Sequence, residues 1–204
     1  MKIYTTIIGL CLALSHPLAD AASTVVVSSP VAGDARLKST IEVLDSSNAR
    51  VHVGAAPDYL LVQGSKLYSV NAGVARDVTA QRAQIRLPSI GDENVRLLTV
   101  LTDSGRTENI AGLTGKIYNL SYYSHSAQTL STEIVLSDDP RVREVTAFWK
   151  AYFEGSGLPV YRGRDVLQGF LERNGLGVLR FGNDYQIEAF GVTPAADRFT
   201  LPAH

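Results

Sequence analysis

Cysteine is almost missing from this chain: there is one in 204 residues, together with one methionine and one tryptophan. That cysteine, Cys11, lies inside an apolar stretch. Leu10 precedes it, where a lipoprotein signal needs a small residue, and the stretch runs on past it, so it is read as part of a leader and not as a lipidation site. Once such a leader is removed, no thiol remains for catalysis, metal binding or a disulfide, and the core must hold the protein together unaided. An excess of charge is missing as well. Lys and Arg number 19 against 20 Asp and Glu, for a net charge of −1, and no basic cluster draws the chain toward nucleic acid. Beyond the leader there is no apolar run of the ~20 residues that a membrane helix takes. Internal repeats and low-complexity segments are also lacking.

The first residues have the pattern of a secretory signal. Met1-Lys2 is a short positive start, Ile3 to Leu14 is apolar, Pro17 breaks the run, and Ala19-Asp20-Ala21 puts small residues where a signal peptidase reads. The expectation is a signal peptide over residues 1–21, cleaved after Ala21, with export to a bacterial periplasm. Residues 22–36, rich in Ser, Pro, Gly and Ala, read as a flexible leader in which Thr24–Val27 can form an edge strand. Residues 37–204 read as one domain.

Within that domain the first half alternates with period two. Ile41 and Val43 share one face and Thr40 and Glu42 the other; Asp45-Ser46-Ser47-Asn48 is turn chemistry, and Arg50–Val53 alternates again. Tyr59–Val62 and Lys66–Val70 flank Gln63-Gly64-Ser65 as a second hairpin. Gln84–Leu87 reads as one more strand, ended by Pro88. Val95–Thr102 reads as a strand on its β-branched content, with a short helix after Asp92 as the rival. Gly112 and Gly115 mark a turn. Tyr118, Leu120 and Tyr122 then alternate with Asn119 and Ser121, and Thr132–Leu136 follows as a strand.

At Asp138-Asp139-Pro140 the period changes. An acidic cap followed by proline starts a helix, and Val142, Val145, Phe148, Trp149, Tyr152 and Phe153 recur at helical spacing until Gly155 and Gly157 end it. A shorter helix over Arg164–Arg173 carries Val166, Leu167, Phe170 and Leu171. Val178–Phe181 and Tyr185–Phe190 make a closing hairpin, after which Phe199 and Leu201 are expected to tuck into the sheet. Strands first and helices late is an α+β arrangement, mostly β. The simplest form is a curved antiparallel sheet, an open or half barrel, plugged by one amphipathic helix with a second short helix beside it.

Catalytic motifs are absent. His52, His125 and His204 belong to no paired metal motif, no Gly-x-Ser-x-Gly elbow exists, and Gly112-Leu113-Thr114-Gly115 lacks the lysine and helix of a phosphate loop. Asp138-Asp139 is better explained as capping than as a metal or acid pair. The chemistry left over is aromatic: Phe148, Trp149, Tyr152 and Phe153 on the helix, and Tyr118 and Tyr122 on one strand face. Two readings stand side by side. Either these rings fill the core, or they wall an apolar cavity under the helix, the default ligand site of a hollow sheet-and-helix fold.

Four short stretches carry a family resemblance: Gly64-Ser65-Lys66-Leu67-Tyr68, Thr107–Gly112 ahead of the Tyr118 strand, Leu136-Ser137-Asp138-Asp139-Pro140, and Arg198-Phe199-Thr200-Leu201-Pro202. Over Leu37 to Pro202 the chain resembles the open-barrel periplasmic lipoprotein carriers LolA and LolB. More closely it resembles the bacterial domain-of-unknown-function proteins grouped near them. The resemblance implies the open-barrel fold and an acyl ligand held between sheet and helices; it carries over no ligand residue. The function expected is therefore non-enzymatic binding of a lipid or acyl chain at Tyr118, Tyr122, Phe148, Trp149, Tyr152 and Phe153, with no cofactor and no metal. The alternative is a periplasmic protein-binding module without a ligand cavity. A hydrolase is the weakest reading, for lack of a nucleophile and base.

Overall fold

The computed structural model describes residues 23–30, 35–54, 57–85, 87, 90–156 and 162–202. The proposed signal peptide, Cys11 and His204 lie outside these. Eleven strands form one antiparallel sheet that is curved and open. They are β1 (Ser23–Pro30), β2 (Arg36–Asp45), β3 (Asn48–Val53), β4 (Tyr59–Gln63), β5 (Lys66–Asn71), β6 (Val74–Asp77), β7 (Leu97–Ile110), β8 (Leu113–Tyr123), β9 (Thr129–Ser137), β10 (Gly177–Phe181) and β11 (Tyr185–Phe190). Two helices, α1 (Pro140–Glu154) and α2 (Arg162–Asn174), fall between β9 and β10. The strand order is β6-β5-β4-β3-β2-β1-β11-β10-β9-β8-β7. Every neighbour is therefore also a neighbour in sequence, except where the first strand pairs with the last. The two free edges are β6 and β7, and residues 78–96 cross from one to the other.

The expected hairpins β2–β3, β4–β5 and β10–β11 form; of Val95–Thr102, over which strand and helix competed, Leu97–Thr102 belongs to β7, and a single 3₁₀ turn, Asp92–Asn94, precedes it. Three expectations change. The leader over 22–36 contains β1, which is a central strand: Val25 and Val27 are fully buried between β2 and β11. Gln84 ends a 3₁₀ turn, Thr79–Gln84, and neither Ile85 nor Leu87 is in a strand. Of the tail residues, Phe199 is buried, but Leu201 is 41% exposed. Phe199 packs on Leu61 and Val70, apart from the main core. Leu61 and Val62 are adjacent in β4 and point to opposite faces; Val62 belongs to the main core and Leu61 to the Phe199 cluster. The tail thus covers the outer face of the sheet. Arg198 Nε and Nη2 donate to both carboxylate oxygens of Glu42, at 3.0 and 2.6 Å, and Gln63 Nε2 donates to the Phe199 carbonyl at 2.6 Å.

Local chemistry explains why α1 sits where it does. Asp139 caps it by accepting from the Arg141 N–H at 2.9 Å, with Pro140 at the first helical position. Arg141 donates to the same carboxylate through its guanidinium, and this holds the Asp139 pKa below its usual value. Val142, Val145, Phe148, Trp149 and Tyr152 face the sheet and are at most 2% exposed. Burying a side chain of this size stabilises by about 1.5–3 kcal/mol. The helix backbone meets β10 at Gly177, where a Cβ would come within 2.5 Å of the Val142 carbonyl. Thr146 Oγ1 accepts from the Val178 N–H at 2.9 Å beside the irregularity in β10. On α2, Leu167 and Leu171 are buried, whereas Val166, expected on the apolar face, is 47% exposed.

Candidate functional site

The four rings of α1 come together as the spacing predicts. Phe148 and Trp149 have centroids 5.0 Å apart, Tyr152 and Phe153 lie 5.7 Å apart edge to face, and Trp149 is 6.1 Å from both tyrosine and phenylalanine. These rings pack on one another and on the sheet. Tyr185, at the start of β11, is wholly buried beside them; burial pushes its hydroxyl pKa upward, against the pull of the Trp149 indole N–H. Neither the indole nitrogen nor the Tyr152 and Tyr185 hydroxyls makes a hydrogen bond of good geometry among the described residues. Tyr122 is buried against Phe181, with centroids 6.5 Å apart.

Tyr118 stands apart from that group. It is half-buried and meets the ring of Phe170 on α2 edge to face at 5.6 Å. It also lines a cavity of about 320 Å³ between β8, the end of β9 and the C-terminal end of α2. Thr114, Lys116 and Tyr118 alternate along β8 and all face this space. Leu136, Ser137 and Asp138 form the second wall, and Asn174 and Leu176 the third. Leu136 is almost fully buried; Lys116 and Asp138 are exposed. The result is a mainly polar hollow with Leu136, Leu176 and the Tyr118 ring as its apolar part. Lys116, Asp138 and Asn174 were not singled out as ligand residues from the sequence. The alternation Thr114-x-Lys116-x-Tyr118 holds that signal in part, since it places the lysine and the tyrosine on one face.

Two polar anchors fasten the helices to the segment that crosses between the sheet edges. Arg82, in the 3₁₀ turn, donates through Nη2 to the Tyr152 carbonyl at 2.9 Å and lies 4.4 Å from the Tyr152 ring centroid. It thereby places a cation at the C-terminal end of α1, where the helix dipole favours one. Burial lowers the Arg82 pKa. Asp92 is fully buried and accepts through Oδ2 from Arg164 Nε at 3.0 Å and Gln168 Nε2 at 2.5 Å, both on α2. Arg164 also lies 4.8 Å from the Phe153 ring centroid. Periodicity cannot reveal such anchors, because each is one residue in a connection.

Of the histidines, His52 lies in β3 with its ring 5.3 Å from Tyr59, and His125 is exposed in the β8–β9 connection. Among the described residues no three His, Cys, Asp or Glu side chains gather as metal ligands, and no helix is long and apolar enough to cross a membrane.

Comparison with protein-family models and with curated proteins finds no match, so the likeness to a domain-of-unknown-function family has no model behind it. Among solved structures, a LolA superfamily protein from Nitrosomonas europaea is similar at 15% identity and a TM-score of 0.25. That match covers 60% of this chain and 64% of the other, less than two thirds of its length. At that TM-score the likeness carries no argument about function.

Proposed function

We propose that this is an exported, periplasmic protein that binds an apolar ligand, a lipid or acyl chain, between the curved sheet and its helices without catalysing a reaction. The cavity beside Tyr118 is the observation that supports it. Its volume of about 320 Å³ lies at the lower end of the range in which ligand sites occur, roughly 300–1,000 Å³. Its lining is more polar than that of most ligand sites, with Leu136, Leu176 and the Tyr118 ring as its apolar part. Tyr118 links it to α2 through its edge-to-face contact with Phe170. The export part of the reading rests on residues 1–21.

Native mass spectrometry of protein purified from the periplasm tests this directly. A bound mass that is lost on delipidation, on a chain beginning at residue 22, is the expected result. A clean mass both as purified and after incubation with lipids would sink the lipid reading.

A second reading has its own support. Leu97 and Tyr123 are cross-strand partners, 44% and 41% exposed, and Val100 beside them is 42% exposed. Three large apolar side chains on the strand at a free sheet edge and its neighbour suit a protein-binding surface. A pull-down that recovers one defined periplasmic partner, and loses it in Leu97→Ser/Val100→Ser, is what this reading expects.

A further inference from the structure

Most charged side chains around the helices are paired. Asp139 is held by Arg141, Glu108 and Glu133 face Arg180, and Lys150 reaches Glu154 and Glu172. The cavity beside Tyr118 breaks this pattern. Lys116 on β8 and Asp138 just after β9 both line it, and among the described residues neither has an ion-pair partner. They do not pair with each other either, although they share the same space of about 320 Å³. The rim of the cavity therefore carries one exposed, unpaired charge of each sign among the described residues.

A ligand with only an acidic head would be drawn to Lys116 and repelled by Asp138; one with only a basic head would meet the reverse. A head carrying both signs satisfies both. Ser137 adds to the match: its Oγ accepts from the Asp139 N–H at 3.2 Å, so its own O–H proton remains to donate. Tyr118 offers a ring face or edge to a cation in the same space. Leu136 and Leu176 supply apolar wall beside it.

Resting on the lipid-binding reading, we propose that this cavity seats the zwitterionic head group of a phospholipid, with its phosphate at Lys116 and its ammonium between Asp138 and Tyr118. The acyl chain then lies against the apolar wall of Leu136 and Leu176. The same head chemistry also exists as a free soluble zwitterion, so the test must separate the two sources.

The experiment is a native-mass titration of the delipidated protein at low ionic strength with four probes. These are lysophosphatidylethanolamine, a fatty acid and a monoacylglycerol of the same chain length, and glycerophosphoethanolamine, which has the head and no chain. The lysophospholipid is expected to bind about fivefold more tightly than either other lipid, as two partly exposed charge contacts allow. Lys116→Gln and Asp138→Asn should each bring it down toward the monoacylglycerol. Both side chains are exposed, so unchanged melting curves are expected of these variants. Equal binding of the three lipids would overturn the head-group assignment and leave the lipid reading standing. Binding of none of them would overturn both. Glycerophosphoethanolamine binding as tightly as the lysophospholipid would overturn the lipid source in favour of a soluble zwitterion.

Discussion

His52 sits half-buried on the outer face of the sheet, next to Arg50 in sequence-alternate position and opposite Thr40 in β2. Burial lowers its pKa below the usual 6.5, Arg50 and Arg198 lower it further, and Glu42 opposes them. A histidine whose folded pKa is depressed takes up its proton in the unfolded chain first. Stability then rises with pH through the window between the lowered native value and 6.5, and is lost as pH falls through it. The urea midpoint should therefore drop on acidification across this window, and His52→Gln should flatten that part of the profile. An unchanged slope in the variant would assign it to other groups. The same residue scale shows what the sequence could hold. The α1 rings and the pair Tyr118 and Tyr122 were legible because helical and alternating spacing fix which side a residue faces. That Tyr118 lines a cavity while Tyr122 is sealed against Phe181 was not, because this depends on where α2 comes to rest.

At the scale of elements, α2 offers a contrast between two of its glycines. A Cβ at Gly163 would lie 2.7 Å from the backbone of Leu97 and Leu98, whereas at Gly169 it would meet the flexible end of Arg173 at 3.2 Å. In the helix interior, where Gly169 sits, alanine raises helix propensity by about 1 kcal/mol. Gly169→Ala should raise the thermal midpoint. Gly163→Ala should lower it by the equivalent of about 1–3 kcal/mol, because α2 must back away from β7. Thermal melts of the two variants check both directions, and a rise in both would mean that the helix is not seated on the strand. Strand β7 shows where local reading fails. Asp103-Ser104-Gly105-Arg106 looks like a turn, yet it lies inside a strand: Asp103 Oδ1 accepts from the Gly105 N–H at 2.8 Å and the pairing with β8 slips between Asp103 and Thr107. Turn chemistry here builds a bulge. A second slip falls between Leu98 and Val100. Bulges of this kind twist a free edge away from edge-to-edge pairing with another chain.

For the whole molecule, the connection between β6 and β7 matters through the two 3₁₀ turns it carries, Thr79–Gln84 and Asp92–Asn94. It spans from one free edge of the sheet to the other and fastens both helices on the way, through Arg82 to α1 and through Asp92 to α2. Asp92→Ala leaves Arg164 buried without its counter-charge. It should cost about 3–5 kcal/mol, read as a lower urea midpoint with the slope retained. A change under about 1 kcal/mol would instead mean that Arg164 reaches solvent or another partner once Asp92 is gone. The order of hairpins and helices was legible in the sequence, and with it the mostly-β, late-helix architecture. The position of β1 was not. Its Val-rich run among Ser and Pro looks like the end of a leader, and its burial comes from β11, a partner some 160 residues away in the chain, of which no local pattern speaks.

That long-range pairing also bears on time. A chain delivered N-terminus first, from a ribosome or across a membrane, can zip β1 to β6 as a meander, but the inner edge of β1 then waits without a partner. It is met only when β11, nearly the last element to emerge, arrives. Until then the two halves of the sheet have no shared strand pair, and neither covers the apolar face of α1 alone, since that helix packs on β1, β2 and β10 together. Completion of the sheet is thus deferred until Tyr185–Phe190 has been delivered.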